Sequence, residues 1–172
     1  MIPCQVCGLM CPVNYLVNGQ CGHCHPAGAG VWPWVHAKTV VLANGCFDPL
    51  HIGHIRHLEA AKRIGDVLVA TVTQDDHVNK GPGRPVFNQN LRAESVAALR
   101  CVDYVFINSP IPGNHIKLIR PSLYVKGSDY IGNITPDLLK EQAAVESVGG
   151  KLVFTNEPCF SSTRLLNTFS GK

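Results

Sequence analysis

The sequence predicts an α/β fold, a doubly wound parallel sheet of five strands, preceded by a small N-terminal zinc-binding knuckle. Three observations predict it. Short apolar, β-branched runs alternate with segments of helical period from residue 39 to the C-terminus. The first run passes into the first helix through Asn44-Gly45-Cys46-Phe47-Asp48-Pro49-Leu50-His51-Ile52-Gly53-His54. Two Cys-x2-Cys pairs stand ahead of it, within the first 24 residues.

The elements follow in order. Thr39 to Ala43 is uncharged and β-branched, as expected of a strand buried on both faces of a parallel sheet. Ile52, Ile55, Leu58 and Ala61 recur near the helical period, and Gly65 stops the pattern. Val67 to Val72 reads as a strand, Asn90 to Arg100 as a helix and Tyr104 to Ile107 as a strand. His115 to Ile119 suggests a short helix and Leu123 to Val125 a strand. Pro136 to Val148 reads as a helix, Leu152 to Phe154 as the fifth strand and Thr163 to Phe169 as a last helix. Ligands of such folds bind at the carboxyl ends of the strands, near the switch point beside the first one. The turn carrying His51 and His54 falls there.

Both histidines sit on the first turn of the first helix, so their imidazoles face the same way. Free N–H groups and the positive dipole end of a helix N-terminus favour an anion, and two imidazole donors add to that pull. Gly53 leaves room for a phosphate to approach the backbone. A metal site built from His51, His54 and His57, or histidines merely exposed on a surface helix, are the alternatives.

At this point the chain resembles the cytidylyltransferase-like nucleotidyltransferases that carry a His-x-Gly-His signature, here His51-Ile52-Gly53-His54. Gly45-Cys46-Phe47-Asp48, Gly65-Asp66, Lys80 to Pro85, Val102-Asp103, Lys126-Gly127-Ser128-Asp129-Tyr130 and Ser161-Ser162-Thr163 follow in the order seen in the adenylyltransferase domain of ADP-heptose synthases. Glycerol-3-phosphate cytidylyltransferases look similar, though less so. The resemblance covers about residues 38 to 170 and implies a Rossmann-like fold. It also implies direct transfer: an oxygen of a sugar or alcohol phosphate attacks the α-phosphorus of a nucleoside triphosphate in line and expels pyrophosphate, with Mg2+ accompanying the nucleotide.

The resemblance assigns roles residue by residue. His51, His54 and Lys80 would serve catalysis. Gly45, Cys46, Phe47, Asp48, Gly53, Lys126, Gly127, Asp129, Ser161, Ser162 and Thr163 would hold the nucleotide. Asp48 would orient a histidine or help to hold Mg2+, with turn formation beside Pro49 as the alternative. Arg84, Arg92 and Arg100 would bind acceptor phosphate; Arg92 and Arg100 lie eight apart on one expected helix, just over two turns, and so can face one site. The three hydroxyls can equally be helix caps. Two departures concern the base: Asn156 to Phe160 precede the serines where cytidylyltransferases place Arg-Thr, and Ser128 replaces a glycine of the adenylyltransferase pattern. Adenylyl transfer to heptose 1-phosphate or a related sugar phosphate leads, with cytidylyl transfer to glycerol or another alcohol phosphate as the alternative. A nucleotide-binding scaffold without catalysis is the competing class.

Residues 1 to 25 hold Cys4-x2-Cys7 and Cys21-x2-Cys24, 13 residues apart, a spacing that can place four thiolates tetrahedrally around one Zn2+. Cys11, His23 and His25 are near enough to replace a ligand. A segment this short has no core of its own, so zinc would supply its folding free energy. Residues 26 to 37 read as a linker, with Trp32 and Trp34 docking on a neighbouring surface, and 38 to 172 as the nucleotidyltransferase domain.

Composition narrows the partners. Residues 1 to 37 contain no Lys, Arg, Asp or Glu, and the whole chain carries a net charge of only +3, which disfavours nucleic acid. The uncharged N-terminal segment, with Leu9, Met10, Tyr15 and Leu16, suits packing on its own catalytic domain or on another subunit. No apolar run approaches the roughly 20 residues needed to span a bilayer, and no targeting segment is visible, so a cytoplasmic enzyme is expected. The resemblance also implies a homodimer.

Overall fold

The structure is a computed structural model that describes residues 37–108, 113–158 and 160–169, with the backbone of four short strands nearer the N-terminus. Those strands are Ile2–Pro3 (β1), Leu9–Cys11 (β2), Leu16–Val17 (β3) and Gln20–Cys21 (β4). Five longer ones follow: Val40–Gly45 (β5), Val67–Val72 (β6), Tyr104–Ile107 (β7), Leu123–Lys126 (β8) and Lys151–Phe154 (β9). The helices are Ile52–Arg63 (α1), Gln89–Ala97 (α2), Asn114–Ile119 (α3), Pro136–Ser147 (α4) and Ser162–Phe169 (α5).

The five expected strands pair in parallel in the order β7-β6-β5-β8-β9. From β5 the chain winds outward through β6 to β7, then returns to β8 on the other side of β5, which makes the gap between β5 and β8 the switch point. β5 shows why both faces must be apolar. Val41 and Ala43 pack with Leu58 and Ala61 of α1 and Ala93 and Val96 of α2, whereas Val40 and Leu42 pack with Ile116 of α3 and Val145 of α4. Each fully buried Val or Leu there contributes roughly 1.5–3 kcal/mol.

Two aspartates pin the strand starts. Asp66 accepts the Thr39 N–H at 2.8 Å. The Asp103 carboxylate takes both the Leu68 N–H and the Lys62 ammonium at 2.7 Å, tying α1 and β6 to the entry of β7. Gly65, between α1 and β6, has no alternative: a Cβ there would run into the Val41 side chain and lie 3.0 Å from the Thr39 carbonyl oxygen.

At the other edge β2 pairs antiparallel with β7, Leu9 opposite Phe106, and β1 pairs with β2, which makes the sheet seven-stranded. The N-terminal segment thus reaches the parallel sheet by backbone hydrogen bonding and covers an otherwise open edge. β3 and β4 pair with each other. Of the expected zinc ligands, Cys4, Cys7 and Cys24 lie outside the described residues, as do the linker tryptophans, and Cys21 is described only as backbone in β4. Among the described residues no helix is long and apolar enough to cross a membrane.

One expected boundary needs correction. The second helix ends at Ala97, not Arg100, because residues 98–101 turn toward β7 through bonds from Leu99 N–H to the Val96 carbonyl and from Val102 N–H to the Leu99 carbonyl, both 3.1 Å.

Candidate active site

His51 is the N-cap of α1, with extended backbone at φ −144° and ψ 171°. Its Nδ1 accepts the Gly53 N–H at 3.1 Å and, at 3.4 Å, that of His54. This contact fixes the tautomer: with Nδ1 an acceptor, the neutral ring carries its proton on Nε2. That Nε2 is buried and has no partner among the described residues, and neither has Nδ1 of His54. The two rings stack at 3.7 Å between centroids with 16° between planes, so they do face the same way. Phe47 supports the stack from the side, edge-on to His54 at 5.2 Å, and holds a left-handed backbone at φ 50° to do so.

Charge is absent from this pair. Burial, reinforced by His51, Lys80 and His57, depresses the His54 pKa to about 3. Burial and Lys80 lower that of His51 as well, against a raising backbone bond. Both rings are neutral near pH 7 and act as hydrogen-bonding groups rather than cations.

The cation comes from a distant loop. Lys80 Nζ donates to Ser162 Oγ at 3.1 Å, bringing the ammonium to the N-terminus of α5. Ser161 caps that helix, its Oγ accepting the Arg164 N–H at 3.3 Å. A cavity of about 390 Å3 opens between the histidines and this helix end, within the usual range of small-molecule sites. Gly45, Cys46, Phe47, His51, Gly53, His54, Lys80, Lys126, Gly127, Asp129, Ser161, Ser162 and Thr163 all border it, so one hollow collects most of the expected site from positions 118 residues apart in sequence, 45 to 163. It lies across the carboxyl ends of β5 and β8.

Asp48 and the three arginines do not join them in the expected roles. Asp48 is fully buried, and its oxygens take Arg84 Nε at 2.7 Å, Val86 N–H at 2.8 Å and Phe87 N–H at 3.1 Å. Burial alone would raise its pKa; the Arg84 bond, the two N–H groups and the Arg84 charge outweigh it and hold the carboxyl below its ordinary value. Asp48 therefore neither orients a histidine nor offers an oxygen to Mg2+. Arg84 is spent on the same pair, with longer bonds of 3.4 Å to the Ser162 and Thr163 hydroxyls. It braces α5 rather than facing the cavity.

Arg92 is 1% exposed and donates to the carbonyls of Phe87 (2.8 Å), Cys46 (2.5 Å) and Thr73 (2.7 Å) and to the Asp75 carboxylate at 2.6 Å. It locks the Cys46 turn in place from behind. Arg100 is exposed on the turn after α2, before β7 begins, at the amino ends of the strands and so opposite the cavity. Neither is placed to bind acceptor phosphate.

Two glycines have different reasons from those expected. A Cβ on Gly53 would come within 2.9 Å of the Phe160 ring and 3.1 Å of His51 Cε1, so Gly53 serves the closure of 160 onto α1. One on Gly127 would overlap the Asp129 carboxylate. Ser128 does not border the cavity; its hydroxyl donates to the Glu157 carbonyl at 3.0 Å and ties two rim loops together. Lys126 forms a buried ion pair of 2.7 Å with Glu141 on α4, which also accepts the Tyr124 hydroxyl at 2.8 Å.

Sequence reasoning missed Asn44, His57, Tyr130, Thr155, Glu157, Pro158 and Phe160, all on the cavity wall. Asn44 had a signal, the one polar residue closing an apolar strand. The contact of Thr155 with His57 over 98 residues had none. Among the described residues no group of three His, Cys, Asp or Glu is arranged to hold a metal, and His57 is turned to Thr155 rather than to the histidine stack.

A doubly wound sheet whose switch point holds two neutral stacked histidines, a lysine and a helix N-terminus defines a phosphate-handling nucleotide site. The comparisons place it within a family. The chain belongs to the cytidylyltransferase-like family, whose model matches residues 42–167. It is 43% identical over 118 residues to the bifunctional protein HldE of Syntrophotalea carbinolica, covering 67% of this chain and 23% of that protein. With the bifunctional protein HldE of Campylobacter fetus subsp. fetus it shares 41% over 139 residues, 78% of this chain and 28% of that one. The chain thus spans about a quarter of the length of these relatives. A lipopolysaccharide core biosynthesis protein from Thermoplasma volcanium superposes with a TM-score of 0.60 at 27% identity, over 70% of this chain and 98% of that one. A pantoate-beta-alanine ligase from Francisella tularensis shares the fold alone, with a TM-score of 0.52 at 15% identity.

Proposed function

We propose that the protein is a nucleotidyltransferase that moves AMP from ATP to a sugar phosphate such as heptose 1-phosphate and releases pyrophosphate. The observation that carries this is the buried, unpartnered Nε2–H of His51 stacked beside His54, within a cavity that Lys80 and the start of α5 close from the other side. Orphaned buried polar atoms are costly, and a phosphate oxygen would satisfy these. The motif order, shared with ADP-heptose synthases, favours adenylyl transfer, and the relatives named HldE agree with a role of this kind.

An acceptor phosphate oxygen attacks the α-phosphorus; the new P–O bond forms as the bond to the β-phosphate bridging oxygen breaks, and pyrophosphate leaves with that electron pair. His51 Nε2–H and the His54 ring hydrogen-bond the α-phosphate oxygens as they gain charge. Lys80 and the α5 N-terminus, with Ser162 and Thr163, hold the β- and γ-phosphates. The acceptor is already an anion, so no side chain need activate it. Mg2+ would travel on the triphosphate: among the described residues no three His, Cys, Asp or Glu side chains are grouped to hold a metal and Asp48 is fully engaged, and no step above runs through it.

The thiolates of Cys4, Cys7, Cys21 and Cys24 are proposed to bind one structural Zn2+, a dimer is proposed from the resemblance, and a cytoplasmic setting fits a consumer of nucleoside triphosphate. The test of the activity is pyrophosphate release with each of the four nucleoside triphosphates against heptose 1-phosphate and glycerol 3-phosphate. ATP with the heptose phosphate should give the highest kcat/KM. No release above a His54→Ala control with any pair overturns the proposal.

A further inference from the structure

The cavity has two chemically different ends. His51, His54, Lys80 and Ser162 form one, where Lys80 makes no ion pair among the described residues. The other is walled by His57, Asp129, Tyr130, Thr155 and Glu157. Here Lys126 is neutralised by Glu141 and the Glu157 carboxylate is paired with Arg63, so the cations at this end are already matched by carboxylates. A triphosphate is drawn to the first end by Lys80 and the start of α5, which leaves the base of a bound nucleotide at the other end, beside His57.

One tautomer of His57 satisfies both contacts of the Thr155 hydroxyl. His57 Nδ1 lies 2.8 Å from Thr155 Oγ1, and the Thr155 hydroxyl donates to the Lys126 carbonyl at 3.4 Å. A hydroxyl has a single proton. Both contacts are satisfied together only when that proton goes to Lys126 and Nδ1–H of His57 donates to Thr155. The nitrogen left for a ligand is then Nε2, with a lone pair and no proton. Burial, aided by Lys126 and opposed by Asp129, lowers the ring's pKa and keeps it neutral.

We infer that His57 is a specificity-determining residue, whose Nε2 accepts a hydrogen bond from the exocyclic amino group of the nucleobase. The inference rests on the nucleotidyl-transfer reading and deepens it: amino-bearing bases, adenine and cytosine, are accepted, and bases with a carbonyl at that position are refused because two acceptors would face each other. Thr155 is the positioning residue that sets the tautomer.

The experiment compares ATP with inosine triphosphate, which differs by a carbonyl in place of the amino group, by calorimetric binding and by pyrophosphate release. The wild-type protein should favour ATP by about tenfold or more. His57→Phe keeps a ring but removes the acceptor, and the ratio should fall to near one. Thr155→Val, nearly isosteric, frees the ring to carry its proton on Nε2, and the ratio should fall there too; this variant decides the matter if His57→Phe does not fold. Equal binding of both nucleotides by the wild type, or a ratio unchanged in Thr155→Val, overturns the inference. Binding that discriminates without any pyrophosphate release would instead remove the transfer reading and leave His57 as the base reader.

Discussion

His51 and His54 work as uncharged hydrogen-bonding groups because burial is stronger than their neighbourhood is acidic. That has a signature in pH. A ring whose folded pKa is depressed contributes stability that is complete above its ordinary value of 6.5 and is lost as pH falls, for His54 through to about 3. The melting temperature should therefore drop between pH 6.5 and 4, and His54→Gln should lose less over that interval than the wild type. An identical slope in both would contradict the neutral buried ring. Asp48 behaves in the same direction but lower, its stabilisation fading only as pH falls below its ordinary 3.8. Arg84→Ala leaves that buried carboxylate without its partner and should cost about 3–5 kcal/mol in denaturant unfolding, far more than an exposed pair. The identities of the site residues were largely legible in the sequence; the partners of Asp48, Arg84 and Arg92 were not. An arginine on a motif reads alike whether it faces a ligand or three backbone carbonyls, and only the fold decides which.

At the scale of elements, periodicity located all five parallel strands and five helices, with ends displaced by up to three residues. The largest displacement is that of α2, which ends at Ala97; Arg100 lies at the far end of the sheet because the helix runs opposite to the strands and leads into the start of β7. The α1–β6 connection is a tight element junction. Gly65→Ala would press a methyl into Val41 and should cost about 1–3 kcal/mol, read from the denaturation midpoint, with nucleotide affinity unchanged because the junction lies at the opposite end from the cavity. The addition of β2 to β7 was hidden from periodicity: Leu9, Met10 and Cys11 are too short a run to announce a strand, and register is a property of the partner edge.

The whole molecule joins a phosphate site made by local sequence to a base site made by long-range contact. His51 and His54 are three residues apart and could be read directly; His57 and Thr155 meet only because α1 and the end of β9 converge on the switch point. The proposed zinc knuckle adds a third layer. Metal analysis of the full chain should find one zinc per molecule, lost in a Cys4→Ser, Cys24→Ser variant, and a metal-free wild type would dismiss it. The central claim is that the α-phosphorus is the atom attacked, and it is tested most directly by following label from ATP carrying 32P at the α or the γ position, with heptose 1-phosphate as acceptor. The account predicts α-label in the sugar product and γ-label in pyrophosphate, both reduced by about 10²–10³ in His54→Ala. Label passing from the γ position to the sugar, or none passing from the α position, would contradict it.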